Sequence, residues 1–480
     1  MLKELFKKKD IAAMIRETES TNGGLRRSLT ATNLVALGIG AIVGTGIFVL
    51  TGQAASQYAG PALTISFVIS ALGCIFAGFC YAEFAAMIPV SGSVYSYSYA
   101  TMGEFLAWFI GWDLILEYLF AGSAVAVGWS GYMQNLLAGW GINLPHHLAQ
   151  STLEQVNGEW VWTGSIINFP AVCIVAVITV LLLGGIRQSA WVNNVIVAIK
   201  VLVILLFIGF GLSYIDIGNW TPYIPENTGT FGQYGLSGIL RGAAVVFCAY
   251  LGFDALSTAA QETRHPQKDM PKGILISLII CTLLYVAVTA VLTGIVNYRI
   301  LNVDAPIAVA IDTAGEGLAW MSPFIKLGAI AGLSSVILVV MMGQSRIYYA
   351  ISRDGLLPRL FSKINARRGT PKNATIFSGI ATGITAGLLP LSVLSELLSI
   401  GTLMAFTIVC ISILILRRTH AHIHRPFKVP LVWVIPPLGA FFCILQMVSL
   451  PGSTWMRLII WTLIGFAIYF SYGRRHSHLN

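Results

Sequence analysis

The sequence predicts an all-α integral membrane protein of about twelve transmembrane helices, and three observations predict it. Of 480 residues, 56% are hydrophobic and only 10% charged, far below the roughly one quarter charged in a soluble domain. Apolar stretches of about twenty residues follow one another, each long enough to cross roughly 30 Å of hydrocarbon as a helix. The basic residues alternate. Lys7 to Lys9, Arg26, Arg27, Arg264, Lys268, Arg353, Arg367, Arg368, Arg417, Arg418, Arg474 and Arg475 lie on every second connection or on the tails, whereas connections 135–168 and 213–235 hold no Lys or Arg. Such alternation places both termini in the cytoplasm and implies an even number of spans. It also assigns the net charge of +9 to membrane topology rather than to a nucleic-acid partner.

In chain order the spans are expected near 32–54, 62–88, 101–133, 168–185, 190–213, 236–262, 272–296, 323–352, 374–390, 394–417, 431–449 and 455–473. No separate soluble domain remains. The first thirty residues lack the apolar core and small-residue cleavage site of a removable signal. Leu2 to Ile15 suit either an amphipathic helix on the anionic inner leaflet or a mobile basic tail. The connection 353–372, with Gly355, Pro358 and Pro371, reads as a tether. All seven cysteines fall inside apolar spans, without metal or disulfide spacing, and act as small packing residues.

Spans one to five and six to ten form two blocks of similar length, each opening with a glycine-interrupted apolar segment. Because five is odd, the blocks have opposite orientation, the pattern of an inverted-repeat transporter. The chain divides into an N-terminal cytoplasmic segment 1–31, a first repeat 32–213, a second repeat 236–417, two further spans within 431–473 and a cytoplasmic tail 474–480.

The first span contains Gly38-Ile39-Gly40-Ala41-Ile42-Val43-Gly44-Thr45-Gly46-Ile47-Phe48. Each glycine weakens a helix by about 1 kcal/mol relative to alanine. Backbone unwound in hydrocarbon must be satisfied by protein, water or ligand. Gly44, Thr45 and Gly46 would offer N–H groups at the start of a half-helix, where an anion such as a carboxylate is favoured. Gly40 and Gly44, four apart, equally suit close helix packing. A nucleotide-binding reading fails, since no strand precedes the segment and no acidic residue follows about twenty positions on. The sixth span, with Gly252 and Asp254 deep in an apolar stretch, offers carbonyls to an ammonium and a carboxylate whose burial requires a cavity or a partner.

The strings 38–48, Tyr81-Ala82-Glu83-Phe84 before Pro89-Val90-Ser91-Gly92-Ser93, Gly252-Phe253-Asp254 and Ile351-Ser352-Arg353-Asp354-Gly355-Leu356-Leu357-Pro358 resemble the amino acid, polyamine and organocation transporters, and within them bacterial members of the cationic amino acid transporter family. The resemblance covers nearly the whole chain. It implies a LeuT-like fold of five plus five helices with two added spans. It also implies a substrate-binding set of Ile42, Gly44, Thr45, Gly46, Cys248, Ala249, Leu251, Asp254 and Val340. Two departures stand out. Gln261-Glu262 and His265-Pro266 replace the usual paired glutamates and Asn-Pro, and Cys248 stands where many relatives have a bulky aromatic, hinting at extra pocket room.

Lys200 lies near the middle of the fifth span, too deep to snorkel, and burial there disfavours its ammonium. That makes it a candidate proton carrier. The resemblance implies that it occupies the place where sodium-coupled members hold a cation between spans one and eight, beside carbonyls near Gly38 to Gly40 and Ser334 or Ser335. A permanent ion pair with Glu117 of the third span is the competing reading. Glu117 is the second proton-coupling candidate, and Glu83 is expected in a structural hydrogen bond. His146, His147, His420, His422 and His424 lie on flanking loops without metal-site spacing, so no metal and no cofactor are expected.

The expected function is secondary active amino acid transport across the plasma membrane, most simply proton symport of small or branched aliphatic neutral L-amino acids into the cell. Cationic substrates and proton-independent exchange are alternatives. An enzyme is disfavoured, because Asp254 has no second partnered Asp motif and no HExxH is present. Expected partners are the amino acid, protons and membrane lipids. A small accessory membrane subunit is left open.

Overall fold

The computed structural model describes residues 7–9, 29–87, 93–156, 159–184, 190–256, 263–365, 370–419 and 425–478. The Gln261-Glu262 departure, most of Leu2 to Ile15, Pro89 to Gly92 and His420 to His424 lie outside the described residues.

Helical segments occupy each of the twelve expected places. Among the described residues seven helices are long and apolar enough to cross a membrane, and four shorter apolar helices accompany them. The chain is therefore a multi-pass all-α membrane protein. Span 1 begins as the helix Ala31–Ile42, capped by the Thr30 side chain accepting from Asn33 N. It leaves helical geometry at Val43 (ψ 97°) and resumes at Gly46, running through wide π-type turns Gly46–Leu50 and Ala55–Ala59. Spans 2 to 5 are Leu63–Met87, Glu104–Gly139, Phe169–Leu183 and Ala190–Gly211. Span 6 is the helix Gly235–Val246, a tighter turn Phe247–Tyr250 and, after Leu251 and Gly252, a new helix starting at Phe253. Spans 7 to 12 are Pro266–Ile295, Ser322–Arg353, Lys372–Leu388, Leu391–Thr419, Ile435–Ser449 and Gly452–Ile468.

The connections hold more structure than their sequence suggested. A helix Ser93–Thr101 precedes span 3. An antiparallel hairpin of β1 (Leu153–Val156) and β2 (Glu159–Trp162) follows it. A short helix Pro306–Thr313 lies over the second half of span 1, its Pro306 meeting Gly52.

Span 3 is the central post, packed against spans 8, 10 and 9. Span 12 is fastened to it by two tryptophans that exchange bonds: Trp112 Nε1 donates to Trp461 O at 2.7 Å, and Trp461 Nε1 donates to Trp112 O at 3.0 Å. On one face, near the first and last described residues, Lys9 Nζ lies 2.6 Å from Asp354 Oδ1, and Tyr95 donates to Asp354 Oδ2 at 2.7 Å. There too Ser477 donates to Glu104. Glu83 at the end of span 2 accepts from Arg417 at 2.6 Å and from Val429 N at 2.7 Å. On the opposite face Glu396 of span 10 lies 3.6 Å from both Arg241 of span 6 and Arg457 of span 12.

Candidate functional site

The two interrupted spans break beside each other. At Gly252 the backbone takes φ +120°, and an added Cβ would stand 2.7 Å from the carbonyl carbon and oxygen of Ala41. At Gly46 an added Cβ would strike Ala249. Glycine at these two positions is what lets the unwound stretches touch. The helix restarting at Gly46 leaves its first amides without intrahelical acceptors, and Thr45 supplies no side-chain cap. The carbonyls set free on the other side of each break are gathered by one residue: the Tyr285 hydroxyl of span 7 lies 2.8 Å from Ile42 O and 2.7 Å from Ala249 O.

A cavity of about 50 Å³ lies at this junction. Ile42, Gly44, Thr45, Gly46, Cys248, Ala249, Leu251, Asp254 and Val340, the whole substrate set implied by the resemblance, line it. The rest of the lining is Ala41 and Gly252 at the breaks and, not singled out from the sequence, Tyr118, Ala121 and Val125 of span 3, Val336 and Val339 of span 8, and Leu398 of span 10. Their apolar 3.6-residue spacing on spans 3 and 8 was visible, but it does not separate a cavity face from a packed one. The present volume suits a few waters, so a substrate side chain enters only as the lining separates.

Polar groups are few. Asp254 Oδ1 accepts from Gly252 N at 3.0 Å, and its Oδ2 accepts from the Tyr118 hydroxyl at 3.2 Å. The carboxylate therefore closes the break in span 6 and ties it to span 3. The Cys248 thiol donates to Val245 O at 3.1 Å. Glu117 is 1% exposed, and neither of its oxygens has a hydrogen-bond partner among the described residues. The same holds for Asp113 one turn away.

Lys200 is 1% exposed. Its ammonium donates to Gly40 O at 3.0 Å and to Val43 O at 3.2 Å, the carbonyls released where span 1 unwinds. Its aliphatic stem lies along Gly332 of span 8. No ion pair joins it to Glu117 among the described residues. Ser334 and Ser335 bond elsewhere: Ser334 donates to Ile330 O and accepts from Trp129 Nε1, and Ser335 donates to Gly332 O.

The arrangement offers amide donors, backbone acceptors and an apolar wall, with a lysine holding the unwound strand from behind. A family model of amino acid permeases matches residues 29–469. The chain is 46% identical, over 99% of each chain, to the branched-chain amino acid permease BcaP of Bacillus subtilis. It is 45% identical, over all of both chains, to a methylthioribose transporter of the same species. Over 82% of its length, and 64% of the relative's, it is 38% identical to the vacuolar cationic amino acid transporter 4 of Arabidopsis thaliana. With the family model matching most of the chain and two full-length relatives above 40%, the protein belongs to the amino acid permease family and is a transporter, not an enzyme.

Proposed function

We propose that the chain imports neutral L-amino acids with small or branched aliphatic side chains across the plasma membrane, coupled to protons, with both chain ends in the cytoplasm. The amides at Gly44 to Gly46 receive the substrate carboxylate, and the carbonyls freed in spans 1 and 6 receive its ammonium. The side chain meets Val125, Val336, Val340 and Cys248, a lining that favours an aliphatic group over a guanidinium. The relative named a branched-chain amino acid permease supports this choice. Residues 32–213 and 236–417 act as the two inverted halves, with the broken span opening each. The apolar side chains exposed around the bundle, such as Leu283, Val180 and Val448, face lipid.

The observation that carries the coupling is the contact of Lys200 with Gly40 O and Val43 O. A charged ammonium there holds the unwound strand in its binding geometry. Loss of the proton toward the cytoplasm removes the charge that the carbonyls answer and frees the first half of span 1 to move. Glu117, buried beside the site without a hydrogen-bond partner among the described residues, is the second group able to carry the proton. A membrane potential of 100 mV supplies about 2.3 kcal/mol per charge, which supports roughly fifty-fold accumulation.

The test is flux into liposomes under an imposed pH gradient. Wild type accumulates leucine or alanine, and Lys200→Met fails to do so. Uphill uptake by Lys200→Met overturns the coupling assignment. Competition against bound leucine then reads the substrate class. Poor displacement by arginine and by methylthioribose supports the neutral amino acid, and strong displacement by either replaces it.

A further inference from the structure

A second cavity, of about 360 Å³, lies at the end of span 3 away from Glu104 and Ser477. It is formed where residues 303–309, ahead of and within the helix Pro306–Thr313, meet the last turns of span 3. The contact is close, since a Cβ at Gly131 of span 3 would strike Asp304. Two acids on this connection have different fates. Asp312 is committed, lying 3.0 Å from Lys326 Nζ and accepting from Ser322 at 2.8 Å. Asp304, on the cavity wall, has no hydrogen bond and no ion pair among the described residues, and it is the one ionisable group of the ten lining residues.

The rest of the wall is amide-rich. Gln134 spends its donors on Ser130 Oγ at 2.8 Å and Ala149 O at 2.7 Å. Neither Asn135 Oδ1, which is buried, nor the Asn143 side chain has a hydrogen-bond partner among the described residues. One carboxylate is too few for a divalent cation, which needs several oxygen ligands in a cage, and no group of three metal-binding side chains occurs among the described residues. A lone carboxylate beside an unpartnered amide oxygen fits a primary ammonium, and the Asn143 amide is able to donate to an acid group carried by the same molecule. The cavity is far roomier than the junction of the broken spans, and it lies nine residues above Val125 on the same helix, roughly 14 Å along span 3.

We propose that this cavity is a second amino acid site, in which Asp304 holds the ammonium of an incoming zwitterion before it reaches the junction of the broken spans. The inference rests on the amino acid reading above for the identity of the ligand. It adds a station that reading does not contain. The helix Pro306–Thr313 covers the second half of span 1, so an occupant of the cavity touches both the cover and the post on which the inner site is built. Burial pushes the Asp304 carboxyl up to about 6, with no charged neighbour contributing. The group is therefore ionised and able to hold an ammonium above that pH, and neutral and weak below it.

The experiment is equilibrium binding of radiolabelled leucine to purified protein in detergent, at pH 7.5 and pH 5. Wild type is expected to bind two leucines per chain at pH 7.5 and one at pH 5. Asp304→Asn should bind one at both, with affinity at the second site reduced about tenfold or more. Asp304→Glu, which keeps the charge, should restore two. Ethylammonium should compete for the Asp304-dependent leucine, and excess sodium or potassium should not. One leucine per wild-type chain, lost in Gly252→Ala but unaffected by Asp304→Asn, overturns the second site and leaves the transport reading intact. Displacement by sodium or potassium overturns it in favour of a metal cation. No leucine bound by any variant overturns both readings.

Discussion

Replacing Gly252 by alanine tests whether contact between the two unwound stretches is required for binding. Two costs arise at one atom. The φ of +120° lies where an L side chain is strained, by about 1–3 kcal/mol. The new Cβ would also stand 2.7 Å from the carbonyl carbon and oxygen of Ala41, about 0.7 Å inside the 3.4 Å of an ordinary contact. The opposing atoms are backbone and cannot rotate away, so overpacking adds about 1–3 kcal/mol. If span 6 relaxes by moving off span 1, the strain is relieved at the expense of the site, because Gly252 N is the donor that fixes Asp254. We expect leucine affinity to fall by about thirtyfold or more, equivalent to about 2 kcal/mol, with a lower melting temperature in detergent. Gly44→Ala is the matched control. Its nearest neighbour is a methyl of Val336 at 3.0 Å, the end of a side chain, and the loss there should stay below tenfold. Binding is read by scintillation proximity and folding by size-exclusion profile. Wild-type leucine affinity in Gly252→Ala would refute the claim that the two breaks must touch.

Other consequences follow from the same contacts. Tyr285→Phe strips the hydroxyl shared by Ile42 O and Ala249 O. Leaving these buried acceptors unanswered should weaken leucine binding by about 1–3 kcal/mol, and isothermal titration would show it. Asp354→Asn removes the charge answered by Lys9 and should loosen this face, raising labelling by a water-soluble maleimide of a cysteine introduced at Ser477, which is buried there beside Glu104. Unchanged labelling would show that the contact does not hold the segment. Glu396→Gln leaves Arg241 and Arg457 without their shared carboxylate. At 3.6 Å the pairs are loose, so the expected loss is at the lower end of the roughly 3–5 kcal/mol seen for buried pairs, read as a fall in melting temperature.

What could be read from the sequence depended on whether a residue's role is set locally. The break in span 1 was legible because four glycines within nine residues each weaken an apolar helix by about 1 kcal/mol; Gly38 and Gly40 nevertheless stay helical, and the chain leaves helical geometry only at Val43. The depth of Lys200 was legible because apolar residues flank it on both sides. Its partners were legible only in part. Carbonyls near Gly40 were expected and are present, yet Ser334 and Ser335 do not reach the ammonium, because a serine inside a helix readily turns its hydroxyl onto a carbonyl of the preceding turn. Ser334 and Ser335 do so at Ile330 and Gly332. Tyr285 was invisible for the opposite reason. Nothing on span 7 marks it, and its role exists only because two breaks more than two hundred residues apart in sequence present their carbonyls to one hydroxyl. The hairpin of β1 and β2 was missed because strands of four residues give almost no periodic signal. It is held from outside, by Arg457 of span 12 lying over Trp160 and donating to Gln155 at 2.9 Å. The same arginine faces Glu396, so the hairpin, span 12 and span 10 form one connected brace against which span 6 is tied through Arg241. Alternating access would then require the Arg241 link to loosen while the Arg457 link holds. Crosslinking span 6 to span 10 at that level should arrest flux, and crosslinking span 10 to span 12 should not.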